Sequence, residues 1–215
     1  MSTTLDPHAG QSVLASGAAL TDARLVAILL HGRGASAEDI LGLASDLRLT
    51  DVAYLAPQAA GNTWYPYSFL TPMEKNEPSL SSALGTVAAL VAHLGELGVS
   101  PERVALMGFS QGACLALEFA VRHPRRYGGV VGLSGGLIGP PGTTWTASSS
   151  FEGTPVFLGC SDVDFHIPKE RVIESAAVLR GLGADVTTVL YPNMDHTVND
   201  DEMTHLQALV DRLLA

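Results

Sequence analysis

Ser110 stands between two glycines in Gly108-Phe109-Ser110-Gln111-Gly112, where one apolar run ends and another begins. A hydroxyl there has two readings. It belongs to an ordinary tight turn, or the turn exists to hold it out as a nucleophile at the end of a strand. In the second case the flanking residues are small so that strand and helix can meet closely. The amide of Gln111 then points to the same place from a helix N-terminus. Serine is a weak nucleophile at neutral pH and needs a base. Of the seven histidines, His196 follows the last apolar run, in the loop expected at the carboxyl edge of a sheet, where catalytic groups collect. His93, His123 and His205 fall on or at the ends of helical patterns. His8 lies in a terminus expected to be mobile, and His31 and His166 read as loop residues.

The acid has two candidates. Asp162 and Asp164 both follow the apolar run Pro155–Cys160, and an extended chain puts them on one face, so alternation does not choose between them. Either gives the chain order serine, acid, histidine. A third constellation is the stretch from Leu29 to Ser36, LLHGRGAS. Its glycines let backbone approach a ligand, and its amides, with that of Gln111, suit an oxyanion. It matches neither phosphate-binding glycine pattern. A metal-dependent hydrolase built on His31, His166 and His196 is a competing reading, but no H-E-x-x-H or comparably compact ligand set occurs. A binding protein that kept the scaffold and lost its chemistry is the other alternative.

These residues need a scaffold, and the sequence supplies one. Near-continuous apolar runs at Leu25–Leu30, Val52–Ala56, Val104–Met107, Gly129–Leu133, Pro155–Cys160 and Val186–Tyr191 suit strands buried on both faces. Between them, helical spacing runs from Ser36 to Leu47, Ser79 to Leu97, Gln111 to Arg122, Pro168 to Leu182, and Asp200 to Leu214. The alternation predicts an α/β fold, with a mainly parallel sheet and helices on both faces. Residues 11–20 are expected as an extra edge hairpin. Residues 57–78, carrying Trp64, Tyr65, Tyr67 and Phe69 among prolines, and residues 139–153 read as loops. No repeat or interdomain linker interrupts the 215 residues, so one domain spanning 1–215 is expected.

Composition narrows the function classes. Hydrophobic residues make up 47% and charged residues 16%, which fits a compact globule. Twelve basic against 22 acidic residues give a net charge of −10, which argues against nucleic acid and against a polybasic membrane anchor. Cys114 and Cys160 sit in apolar segments and form no paired framework. With no signal-peptide pattern and no apolar run of the roughly 20 residues a span needs, a cytoplasmic location and no stable membrane anchor are expected. The sequence does not set the oligomeric state, a homodimer being compatible with it.

Taken in order, Leu30-His-Gly-Arg-Gly, the Trp64 loop, Gly108-Phe-Ser-Gln-Gly, Leu133-Ser-Gly-Gly and Tyr191-Pro-x-Met-x-His resemble the phospholipase/carboxylesterase family of small α/β-hydrolases, which includes the acyl-protein thioesterases. The resemblance runs from about Arg24 to the end. It implies an α/β-hydrolase fold without a separate lid domain, and a serine hydrolase of small carboxylic esters or thioesters that needs no cofactor or metal. Residue by residue, it implies Ser110 as nucleophile and His196 as base. The amides of Arg33 and Gln111 would form the oxyanion hole, and Trp64 would line the substrate groove. It also favours Asp164 as the acid over Asp162: Asp164-Phe-His-Ile-Pro keeps the spacing of the family's D-P-x-V-P, nine residues after Pro155. Two departures stand out. Asp195 replaces the usual glycine before the histidine. Arg33 replaces a frequent leucine, and its side chain is free to bias the pocket toward anionic or polar substrates.

Overall fold

The computed structural model describes residues 6–45, 47, 50–146 and 149–215. Seven strands, β1 (Val13–Gly17), β2 (Leu25–Leu30), β3 (Val52–Pro57), β4 (Val104–Phe109), β5 (Gly129–Leu133), β6 (Pro155–Ser161) and β7 (Asp185–Tyr191), form one sheet in the order β1-β3-β2-β4-β5-β6-β7. Every pairing is parallel except that of β1 with β3. Residues 11–20 therefore supply one edge strand and no hairpin. Only Leu14 of β1 is even half-buried, which suits a strand at the rim of the sheet.

The apolar runs are continuous because both faces of the sheet are covered. Along β2, Val26, Ile28 and Leu30 enter one core while Leu25, Ala27 and Leu29 enter the other. Helices α2 (Ser79–Glu96), α3 (Gln111–Arg122) and α4 (Lys169–Gly181) close the first core through Leu80, Leu115 and Val172. Helices α1 (Ala37–Ser45) and α5 (Asp200–Leu214) close the second through Ile40 and Leu206. Each such leucine or isoleucine contributes about 1.5–3 kcal/mol by leaving water. The helix expected from Ser36 to Leu47 is α1 as far as Ser45; residue 46 lies outside the described residues, as do residues 147 and 148 of the expected loop 139–153 and residues 1–5.

Helix α3 is the central one. All its residues but Arg122 are buried, so the strand-to-helix turn before it is fixed from behind. The last helix begins with a capping box: Asn199 accepts the Glu202 amide, and Glu202 accepts the Asn199 amide. That box pins the end of the loop carrying His196. No helix among the described residues is long and apolar enough to cross a membrane.

Candidate active site

Strand β4 ends at Phe109, and Ser110 takes φ 54°, ψ −118° before α3 begins at Gln111. A non-glycine residue in that region costs of order 1–3 kcal/mol, which the surrounding packing must offset. The two glycines show why the turn is so tight. A Cβ on Gly108 would lie 2.4 Å from the Gly112 backbone, and one on Gly112 would lie 2.0 Å from the carbonyl oxygen of Leu30. No larger side chain fits at either place.

The turn presents Ser110 to two other loops at the carboxyl edge. Ser110 Oγ lies 2.9 Å from His196 Nε2, and His196 Nδ1 lies 2.6 Å from Asp164 Oδ2. With Nδ1–H donating to the carboxylate, Nε2 is left to accept the serine proton. Asp164 Oδ1 accepts the amides of His166 and Ile167 at 2.8 and 3.0 Å. Burial pushes the Asp164 carboxyl up, but the bonds from His196 and these two amides outweigh it and hold it below the ordinary value. Asp162 is elsewhere: its Oδ1 accepts the Asn193 amide at 2.8 Å, tying the end of β6 to the loop after β7. The His196 ring packs between Phe109 and His166, with centroids 5.0 and 4.9 Å away.

The loop after β2 passes directly beside the serine: a Cβ on Gly32 would sit 3.5 Å from Ser110 Cβ. The amides of Arg33 and Gln111 have no acceptor among the described residues, so both can serve a developing negative charge. The Gln111 side chain stitches the neighbouring loop in place. Its Oε1 accepts the Trp64 amide at 2.9 Å and its Nε2 donates to the Tyr65 carbonyl at 2.8 Å.

Trp64 does not line the groove. It is fully buried, and its indole N–H donates to the His31 carbonyl at 2.9 Å. A large ring with one donor is best placed in a core that supplies one acceptor, and the loop backbone supplies it here. The open cleft of about 550 Å³ above Ser110 is walled instead by Tyr65, Tyr67, Phe69, Phe109 and Ile167, with Arg33 at its side. His31 lies in the loop after β2, as expected, but it is not exposed there. It is wholly buried, donating from Nδ1 to Gly32 O and accepting the Ala59 amide at Nε2, and burial pushes its pKa down. Among the described residues no three His, Cys, Asp or Glu side chains gather as a metal site.

The phospholipase/carboxylesterase family model matches residues 18–214. The chain belongs to that family. A phospholipase/carboxylesterase from Dyadobacter fermentans has a solved structure with TM-score 0.91 and 38% identity, covering 99% of this chain and 100% of that one. Among sequences, acyl-protein thioesterase 1 of Gibberella zeae is 33% identical over 54% of this chain, which spans 51% of that protein's length. Acyl-protein thioesterase 1 of Saccharomyces cerevisiae is 27% identical over 92% of this chain and 96% of its own length. The sheet order, with helices on both faces, is thus the α/β-hydrolase fold of a phospholipase/carboxylesterase, and no separate lid is seen among the described residues.

Two residues of this family member escaped the sequence reading. His8, expected to be mobile, is 4% exposed. It donates from Nε2 to Trp64 O and accepts the Ala60 amide at Nδ1, while its own amide donates to Ser82 Oγ. It props the aromatic loop through backbone groups other than those Gln111 holds. Glu202, which the sequence reading did not single out, is fully buried beneath β6. No local pattern could have shown the contacts of His8 or the burial of Glu202, because Trp64, Ser82 and Gly159 lie far away in sequence.

Proposed function

We propose that the chain is a single-domain serine hydrolase that cleaves carboxylic esters or thioesters through an acyl-enzyme. The observation that carries this reading is the relay Ser110–His196–Asp164, set beside two backbone amides that have no other acceptor among the described residues. His196 Nε2 takes the Ser110 proton as Oγ attacks the carbonyl carbon. The oxyanion sits between the amides of Arg33 and Gln111, donors that are already oriented before charge develops. Asp164 holds the imidazole in the tautomer that accepts at Nε2 and stabilises the imidazolium. That imidazolium then protonates the leaving alcohol or thiol. Water repeats the sequence on the acyl-enzyme, with His196 again as base.

The names of the relatives support the same chemistry, since they are called acyl-protein thioesterase and phospholipase/carboxylesterase. On this reading the enzyme acts in the cytoplasm on a small ester and needs no metal or organic cofactor. A fluorophosphonate probe tests it directly. The wild-type protein should be labelled stoichiometrically at Ser110 and lose turnover of p-nitrophenyl esters and acyl thioesters together, with chelators having no effect. Turnover that survives complete labelling would remove Ser110 from the reaction.

A further inference from the structure

One charged group in the cleft has no part in this chemistry. Arg33 offers its amide to the oxyanion, but its guanidinium is fixed separately: Nη1 donates to Pro66 O and Nη2 to Tyr67 O, both at 2.9 Å. The guanidinium carbon lies 5.9 Å from the centre of the Tyr65 ring. Those two bonds use two of the five guanidinium N–H groups and leave three. They also leave the full charge, because a carbonyl carries none. Among the described residues Arg33 has no carboxylate within ion-pair range, whereas Arg122, Arg171 and Arg212 are paired with Glu118, Glu174 and Asp185.

The surroundings sharpen the point. The protein carries a net charge of −10, yet among the described residues neither aspartate nor glutamate lines the cleft, and His166 stands there beside the His196 ring. A guanidinium anchored by two carbonyls, with no carboxylate partner among the described residues and in the same cleft as the reacting serine, is poised for a planar anion. Its fork fits carboxylate and phosphate oxygens, and little ordering entropy is lost because the group is already immobilised.

Resting on the hydrolase reading above, we propose that Arg33 forms an anion subsite, and that the preferred substrates are esters bearing a carboxylate or phosphate in their acyl or alcohol part. The carbonyl contacts alone would make Arg33 a loop clamp; the anion subsite predicts in addition a preference for charge. Matched esters separate the two. In the acyl arm, mono-p-nitrophenyl adipate is compared with p-nitrophenyl hexanoate. In the alcohol arm, para-butyryloxybenzoate is compared with para-butyryloxybenzamide.

In at least one arm the anionic member should be favoured in kcat/KM by about tenfold, equivalent to one charged hydrogen bond. The arm that shows it identifies the end of the substrate that carries the charge. Arg33→Gln should bring the ratio close to one, while Arg33→Lys should keep part of it. A loss shared equally by both members reports the clamp and cancels from the ratio. No preference in either arm, or a preference unchanged in Arg33→Gln, overturns the subsite. Affinities of the same esters for Ser110→Ala give the ratio without turnover. If the wild-type protein hydrolyses nothing, the hydrolase reading fails, and the affinity ratio still decides the subsite.

Discussion

Glu202 stops with one carboxylate oxygen against Gly159: a Cβ built on that glycine would meet Glu202 Oε1 at 2.2 Å. The oxygen is buried and has no hydrogen-bond partner among the described residues, while the other accepts the Asn199 amide. Burial, helped by the neighbouring charge of Asp201 and opposed by the Asn199 amide, pushes the carboxyl up to about 7. A carboxyl raised in the folded state stabilises the fold while protonated. The contribution is complete below the ordinary pKa of 4.5 and is lost as pH rises through about 7. Glu202→Gln keeps the cap and cannot ionise. Its Tm should match that of the wild type near pH 5 and exceed it by pH 8. A Tm difference that does not change across that interval would show that Glu202 ionises normally.

Ser110→Ala should leave the fold intact and reduce ester turnover to background. Ser110→Gly should be equally inactive but more stable than the alanine variant, by about 1 kcal/mol, because glycine adopts φ 54° without the side-chain penalty. Thermal melts of the two variants check the difference. A glycine variant no more stable than alanine would mean that the turn stores no strain.

Replacing the acid by its amide should rank the two aspartates. Asp164→Asn removes the partner of His196 Nδ1 and should lower kcat by up to about 10⁴-fold. Asp162→Asn keeps an oxygen that can still accept the Asn193 amide, so it should cost far less. The reverse order in kcat would move the acid role to Asp162.

Trp64 fills the core while Tyr67 walls the cleft, so replacing each should separate stability from specificity. Trp64→Ala empties a fully buried site and should cost about 3–5 kcal/mol of stability. Tyr67 is 56% exposed at the cleft, so Tyr67→Ala should leave Tm nearly unchanged and alter preference along a series of acyl chain lengths. If Tyr67→Ala leaves that preference untouched, the cleft wall is not where the acyl chain binds.

What the sequence showed well was whatever local periodicity or strand-end position encodes. Leu25–Leu30 and Gly129–Leu133 are strands within the bounds expected from their apolar runs, because a strand covered on both faces has no polar side to blur its ends. The strand-end positions of Ser110 and His196 were legible from the apolar runs they follow. Between Asp162 and Asp164 the residues themselves were silent, since both leave the same strand end, and only the resemblance favoured one. The burial of Trp64 was hidden because its acceptor, the His31 carbonyl, is 33 residues away. His8 was misread for the same reason, its ring bonds reaching 52 and 56 residues along the chain.

Those long spans also bear on how the molecule comes to be active. The serine and histidine that bond at the cleft are 86 positions apart, and the histidine and its aspartate 32. Contacts so distant form only after the intervening chain has closed, which is slow compared with helix or hairpin formation. During refolding from urea, secondary structure should therefore return first, and ester turnover should follow with a measurable lag.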